Sequence, residues 1–96
     1  MDDIYEVDFH TLPAGISPDE VIVMTREVVA QARTDRVRSM RIIVGKGLGS
    51  FYGPVIRPAV NACLGKLVER GGIKKFCYET LPSGVVNEGA IIVTIF

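Results

Sequence analysis

The chain has 96 residues, which is enough for one compact domain and too few for a second hydrophobic core. Its composition, 48% hydrophobic and 23% charged, is that of an ordinary globular domain and excludes a disordered chain or a collagen-like fibre. Eleven basic and eleven acidic side chains cancel, and no apolar run reaches the roughly 18 residues of a membrane span, so a cytoplasmic domain with no membrane partner is expected.

The first predicted element is a strand with one buried face. Apolar and polar side chains alternate along residues 5–10, with Tyr5, Val7 and Phe9 in the apolar set and Glu6, Asp8 and His10 in the polar set. A period of two is that of a strand. We therefore expect the apolar set to lie beneath the helices and the polar set to face away from them.

A helix is predicted after the loop of residues 12–15. Ser17 is placed as its N-cap, Pro18 at its first position, and Glu20 closes a capping box. Apolar residues follow at helical spacing, namely Val21, Met24, Val28 and Ala32, with Ile22 and Val29 beside them. The helix is expected to end in the polar stretch 33–36, and the β-branched run 40–44 is typical of a central strand.

The second half of the chain predicts a helix and two more strands. The glycine-rich segment 45–53 leads into a helix that starts at Gly53-Pro54 or at Arg57-Pro58. Its apolar stripe is Val60, Leu64, Leu67 and Val68, and Gly71-Gly72 ends it. Strands are expected over 74–80 and 90–96, with a turn-rich connection over 81–89. The order β-α-β-α-β-β predicts one α/β domain over residues 1–96, a two-layer sandwich with two helices on one face of a mixed four-stranded sheet.

Topology brings two candidate segments to one edge of this sheet. A right-handed strand-helix-strand unit makes its two strands parallel. Asp8 and His10 at the end of the first strand and the glycine-rich segment after the second therefore share the edge where open α/β sheets bind ligands.

The glycine-rich segment is suited to a phosphate. Its glycines let backbone N–H groups approach an anion, Lys46 adds a charge, and a helix start lies just beyond. It is not a P-loop, because it contains no G-x-x-x-x-G-K-[ST] pattern. It is not a dinucleotide fingerprint either, because Ser50 stands where the fingerprint needs a glycine. The candidate phosphate contacts are Gly45, Lys46, Gly47, Gly49, Ser50 and Arg57. The plainer alternatives are a segment that only needs tight turns, a helix-capping Ser50 and an ordinary exposed Arg57.

Asp8 and His10 are the candidate catalytic pair. A histidine beside a carboxylate at a phosphate site suits proton transfer in phosphodiester cleavage, and Mg²⁺ often combines one carboxylate with substrate phosphate. The alternatives are an Asp8 that caps the next loop and an incidental His10. Cys63 and Cys77 match no metal-ligand spacing and are interpreted as packing residues.

Charge is segregated along the chain. Residues 1–20 hold six acids and no base, whereas residues 21–75 hold all eleven bases and three acids. The pattern fits either a basic patch or a solvated helix face. Arg33, Arg36, Arg38 and Arg41 would extend a phosphate track in the first case, while Arg36 and Arg38 fit a solvated loop in the second.

Three blocks of the sequence resemble the Smr (small MutS-related) domain family. Residues 7–10, Val-Asp-Phe-His, are similar to its Leu-Asp-x-His signature, residues 42–60 to its second block, and residues 89–93 to its closing Gly-Ala strand. The resemblance spans nearly the whole chain. It implies a β-α-β-α-β-β fold akin to the C-terminal domain of bacterial translation initiation factor three.

The resemblance also implies nucleic-acid binding, often with endonuclease (nicking) activity on DNA or RNA. Asp8 and His10 match the family's Asp-x-His, and Gly45, Lys46 and Gly47 match its Gly-x-Gly. Two residues depart from the pattern, Val44 in place of His or Thr and Thr11 in place of Gly. We therefore rank nucleic-acid binding above cleavage as the expected function, and we expect any nicking activity to be weak or degenerate. The alternatives are a catalytically inert interaction module, the C-terminal domain of a larger MutS-type protein, and a site for a small phosphorylated ligand.

Overall fold

The computed structural model describes residues 5–13, 15–45 and 55–96. Its elements follow the expected order: β1 (Tyr5–Asp8), α1 (Pro18–Thr34), β2 (Ser39–Ile43), α2 (Ile56–Glu69), β3 (Lys75–Thr80) and β4 (Val86–Thr94). The strands form one four-stranded sheet in the order β1-β2-β4-β3. β1 pairs with β2 in parallel, and β4 is antiparallel to both β2 and β3. The mixed sheet and the two-layer α/β class are confirmed.

The core lies between the sheet and the two helices, with Phe9, Met40, Ile42, Leu64 and Ile91 as its largest fully buried side chains. β1 contributes the predicted face to this core: Phe9 is buried, and Tyr5 and Val7 pack against the core while half-exposed. Their partial burial follows from the position of β1 at the edge of the sheet, where it has a neighbouring strand on one side only. Glu6 and Asp8 alternate with them and are exposed, and His10 is exposed beyond the end of the strand.

α1 begins as its sequence predicts. The Ser17 hydroxyl accepts a hydrogen bond from the Glu20 backbone N–H at 3.2 Å, and Pro18 occupies the first turn. The fully buried stripe is Val21, Thr25, Val29 and Ala32. Thr25 was missed because a hydroxyl breaks the apolar pattern; it is accommodated because it donates to the Val21 carbonyl at 2.7 Å.

α2 begins at Ile56, between the two starts predicted from the sequence, and corrects two expectations, the Ser50 cap and the burial of Val68. Its N-cap is Val55, which offers no side-chain hydrogen bond, so the capping position does not fall on Ser50. Pro58 is the third residue of the helix, where a backbone N–H has no intrahelical acceptor, so the ring costs nothing there. Val68 is 38% exposed, and Ala59 and Cys63 are buried in its place beside Val60 and Leu64.

β4 begins at Val86, four residues before the expected start, and the connection shortens to residues 81–85. The polar residues at its start are typical of a turn. The strand nevertheless includes them, because a shift of register between Tyr78 and Glu79 allows Asn87 to pair with Glu79. On β3, Phe76 and Tyr78 pack against the core. Cys77 alternates to the other face and is exposed, so its interpretation as a packing residue was wrong, whereas Cys63 is buried.

Candidate functional site at the strand-end edge

The parallel pairing of β1 and β2 brings the two predicted segments together. Asp8 lies in register with Ile43, and the Phe9 N–H donates to the Ile43 carbonyl at 2.8 Å. Both strands therefore end at one edge, which we call the strand-end edge. Asp8, His10 and Gly45 all lie there, as topology predicts.

His10 lies directly against the backbone of Gly45. A Cβ atom added at Gly45 would stand only 2.8 Å from His10 Cδ2, which is shorter than real Cβ contacts. Gly45 also has a φ of 71°, in the left-handed region that glycine adopts without strain. Two independent constraints, the close approach and the backbone conformation, therefore favour glycine at this position.

Asp8 holds the turn that carries His10. Asp8 Oδ1 accepts a hydrogen bond from the His10 backbone N–H at 2.8 Å. The strand ends at Asp8, so His10 belongs to a turn rather than to the strand from which its direction was predicted. The imidazole itself is hydrogen-bonded to none of the described residues and is exposed. The carboxylate thus orients the backbone and leaves the ring accessible to a substrate.

The glycine-rich segment is anchored to β4 where it begins. The backbone N–H groups of Val44 and Gly45 both donate to the Gly89 carbonyl, at 2.8 and 3.1 Å. Gly89 in turn donates its N–H to Asn87 Oδ1 at 3.1 Å. Val44 is only 4% exposed, so its side chain belongs to the core and adds no polar group to the edge.

Asn87 is a positioning residue that sequence reasoning missed. Its side chain accepts from Gly89 N–H and donates through Nδ2 to Glu79 Oε1 at 3.2 Å. The signal that would have found it is an asparagine two residues before a glycine, a spacing at which an amide oxygen can reach a backbone N–H.

Arg57 lies at the same edge but is partly engaged. Its guanidinium forms an ion pair with Glu88 Oε2 at 3.4 Å, which joins the start of α2 to the start of β4. The predicted contacts Lys46, Gly47, Gly49 and Ser50 lie outside the described residues.

The first turns of the two helices differ in charge. The N-terminus of α1 is capped by Ser17 and carries Asp19 and Glu20. The N-terminus of α2 has neither a side-chain cap nor an acid in its first turn. Free N–H groups and the positive end of a helix dipole attract anions, so α2 is the helix whose start suits an incoming phosphate.

Acids outnumber bases among the described residues of the strand-end edge: Asp8, Asp19, Glu20 and Glu88 lie there beside the base Arg57, and Glu79 lies there hydrogen-bonded to Asn87. A phosphate at this edge therefore needs added positive charge from Lys46 or from a cation. Within ranges 5–13, 15–45 and 55–96, no three histidine, cysteine or acidic side chains lie close enough to hold a metal ion by themselves. Neither described helix is long and apolar enough to cross a bilayer.

Comparisons with known proteins agree with this fold. The family model for the Smr domain matches residues 8–95. The crystal structure of the Smr domain of Thermus thermophilus MutS2 is similar with a TM-score of 0.66 and 22% identity, over 97% of this chain and 99% of that one. YdaL, a stand-alone small MutS-related protein from Escherichia coli, is similar with a TM-score of 0.62 and 24% identity, over 94% of this chain and 63% of its own. No curated protein matches the sequence significantly.

Proposed function

Because the chain belongs to the Smr domain family, we propose that it binds nucleic acid, DNA or RNA, at the strand-end edge and nicks it weakly there. The observation that carries the proposal is the contact of His10 with Gly45. This contact joins the Asp-x-His block and the glycine-rich block, 35 positions apart in sequence, into one site.

Phosphate binding is the better supported half of the proposal. The uncapped start of α2 offers backbone N–H groups, and its own first turn holds no acid. Gly45 precedes α2 in the chain, and the backbone N–H groups of Gly47, Gly49 and Ser50 are proposed as further donors to the phosphate. Lys46 supplies the charge that offsets Asp8, and Arg57 contributes when phosphate competes with Glu88 for its guanidinium.

Cleavage is proposed to depend on His10. Its exposed imidazole can take a proton from an attacking water or give one to the leaving oxygen. Asp8 acts on it through the backbone hydrogen bond and so positions the turn. A Mg²⁺ ion would be held by Asp8 and substrate phosphate, with water as its other ligands, and would offset the negative charge of the phosphate. Weak turnover follows because Val44 is buried in place of the family's His or Thr.

Binding is tested by amide chemical-shift titration with short single-stranded and duplex DNA and RNA at several salt concentrations. We expect shifts at residues 8–11, 44–49 and 55–57. Lys46→Ala should weaken binding for all sequences alike and reduce the log-log salt slope by about one. Val23→Glu, on an exposed mid-helix position of α1, changes net charge equally and should leave the slope unchanged. A silent strand-end edge would contradict the proposal.

Cleavage is tested on supercoiled plasmid and on single-stranded RNA with and without Mg²⁺. His10→Ala should remove nicking, since a general acid or base supplies about 10²–10⁴ in rate, and should leave affinity within a few-fold. Nicking that survives His10→Ala would place the chemistry elsewhere.

The same titration separates the rival functions. A catalytically inert interaction module would bind no nucleic acid. The other alternative, the C-terminal domain of a larger MutS-type protein, is supported by the likeness to a domain of MutS2. A site for a small phosphorylated ligand would saturate with a mononucleotide and show a shallow salt slope.

A further inference from the structure

The edge opposite the strand-end edge concentrates positive charge. Five exposed bases lie in the turn between α1 and β2, in the loop between α2 and β3 and at the first position of β3, namely Arg36, Arg38, Arg70, Lys74 and Lys75. We call these five residues the basic edge. The segments that carry them also hold two acids, Asp35 and Glu69.

The fold brings these bases together although they are far apart in sequence. The Ile95 N–H donates to the Arg38 carbonyl at 2.7 Å, and the Lys74 N–H donates to the Thr94 carbonyl at 2.8 Å. Arg38 and Lys74 therefore flank the end of β4, two strand spacings or about 10 Å apart. The Arg33 guanidinium donates to the Gly72 carbonyl and so ties the end of α1 to the loop after α2.

The positive charge at this edge is not neutralised by nearby carboxylates of the described residues. The ion pairs among the described residues join Arg41 to Glu6 and Glu79, and Arg57 to Glu88. None of them involves a base of the basic edge. The carboxyl ends of α1 and α2 also lie at this edge and add about half a negative charge each. Five bases, two acids and the two helix ends leave a surplus of about two positive charges.

A groove between the helices extends this surface. It encloses about 310 Å³ and is lined by three arginines, Arg26, Arg33 and Arg70, of which the last belongs to the basic edge. The basic surface therefore continues from the end of the sheet onto the helical layer.

We infer that the basic edge is a second nucleic-acid-binding surface, which contacts backbone phosphates without reading sequence. The inference rests on the proposed function and adds to it the place of a non-specific contact. Clustered, unneutralised arginine and lysine side chains are the electrostatic footprint of such binding. Among the described residues, the strand-end edge has no comparable cluster of bases.

The two surfaces contact different phosphates. They lie at opposite ends of β2, whose five residues span about 17 Å. A single phosphate cannot reach both edges. The domain therefore contacts separate segments of one nucleic acid, or two arms of a branched one, at the same time.

A structural role for the lysines is the competing explanation. β3 is an edge strand of the sheet, and charged side chains on an edge prevent pairing with another molecule. In that case loss of Lys74 and Lys75 causes concentration-dependent association and leaves affinity for nucleic acid unchanged.

The test compares the double variant K74Q/K75Q with the wild-type chain in titrations against a short DNA duplex and a single-stranded RNA. Each phosphate contact accounts for about 0.9 of the log-log salt slope on duplex DNA and about 0.7 on a single strand. On duplex DNA this corresponds to about 8-fold in affinity at 0.1 M relative to 1 M salt. We expect the slope to fall by one to two such contacts, equally for unrelated sequences. Amide shifts at residues 36–38 and 70–75 of the wild-type chain are expected in the same titration.

A matched control carries the same change of net charge elsewhere. V23E/A62E adds two acids on exposed positions of α1 and α2, away from both edges. It should retain the wild-type salt slope. Thermal unfolding of both double variants shows that they are folded.

The outcomes separate this inference from the proposed function. If the wild-type chain binds no nucleic acid, both fail. If Lys46→Ala weakens binding but K74Q/K75Q does not, the basic edge is excluded and the strand-end site stands. If the wild-type chain binds vesicles containing phosphatidylserine more tightly than nucleic acid, and K74Q/K75Q abolishes that binding, the surface is a membrane contact and the inference is overturned.

Discussion

Asp8 Oδ1 accepts a hydrogen bond from the backbone N–H of His10 at 2.8 Å, so the carboxylate acts on the turn and not on the imidazole. This distinction separates a positioning residue from a catalytic one. Asparagine at position 8 keeps an oxygen acceptor of the same shape but carries no charge.

We therefore predict opposite behaviour for two substitutions of Asp8. Asp8→Ala should lower the free energy of unfolding by about 1 kcal/mol, since the His10 N–H loses its partner. Asp8→Asn should keep most of the stability and the backbone shifts of residues 9–11. Nicking that is retained in Asp8→Asn and lost in Asp8→Ala would confirm the positioning role. Loss in both would show that the negative charge itself is needed, as for a cation ligand.

Gly45→Ala is predicted to affect both stability and the position of His10. The left-handed backbone costs about 1–2 kcal/mol for a residue with a Cβ, and the new atom would stand 2.8 Å from His10 Cδ2. Gly15→Ala is the matched control, because its φ is 86° and nothing lies within 4 Å of an added Cβ. Both variants should lose stability, but only Gly45→Ala should move the imidazole ¹H shifts. In a His10→Ala background the steric part of the Gly45→Ala penalty should vanish, which a double-mutant cycle measures.

The acid sensitivity of the fold should depend on Glu79. Hydrogen bonds from Arg41 and Asn87 lower the pKa of the Glu79 carboxyl from its ordinary value. The Arg41 guanidinium donates Nε to Glu79 Oε2 at 2.8 Å and a second N–H to Oε1 at 3.0 Å. A pKa that is lower in the folded than in the unfolded chain means that the folded chain binds fewer protons, so stability falls as the pH drops through and below about 4.

Glu79→Gln should remove that pH dependence, measured as denaturant midpoints between neutral and acidic pH. Glu6→Gln is the comparison, because Glu6 contacts the same Arg41 at 3.3 Å and is more exposed. It should change the profile less. Equal pH profiles for wild type and Glu79→Gln would contradict the prediction.

The two cysteines should react at very different rates with a thiol reagent. Burial raises the pKa of the Cys63 thiol, opposed in part by Arg26. Its S–H also donates to the Ile22 carbonyl at 3.7 Å. Cys77 is exposed on β3. The Cys77 thiol should therefore be labelled in the native protein, and the Cys63 thiol only on unfolding. Cys77→Ser should abolish the fast phase and Cys63→Ser should leave it intact.

Arg36→Gly should stabilise the chain. Arg36 is the one non-glycine residue of the described ranges with a positive φ, 58°. Relief of the left-handed conformation outweighs the extra entropy of glycine by roughly 0.5 kcal/mol. Arg38→Gly removes the same charge without this relief and should lower the free energy of unfolding. Thermal melts of the two variants side by side measure the difference.

Most of the fold was predictable because its patterns are local. The alternation along residues 5–10 and the Ser17 cap each determine their element within a few residues. The start of β4 could not be predicted, because Asn87 and Gly89 have turn propensity and the partner of Asn87 in the sheet, Glu79, is distant in sequence. Val68 and Cys77 were misplaced because spacing shows the period of an element more reliably than which side of it is covered.

The site was predictable where topology alone decides it. Parallel pairing had to bring Asp8, His10 and Gly45 to one edge. The role of Asp8 could not be read from the sequence, since an Asp-x-His pattern fits a proton relay and a capped turn equally well. The partner of Arg57 is 31 positions away, and no local pattern indicates it.

The segregation of charge has a consequence for how the molecule meets a partner. Among the described residues, acids outnumber bases at the strand-end edge and bases outnumber acids at the basic edge. A chain of zero formal net charge therefore has an electric dipole moment along the strands. The electric field of a polyanion orients such a molecule before contact, so the basic edge approaches the nucleic acid first. Association with nucleic acid should therefore speed up as the Debye length grows at low ionic strength, although an isoelectric point near 6.6 predicts no net attraction.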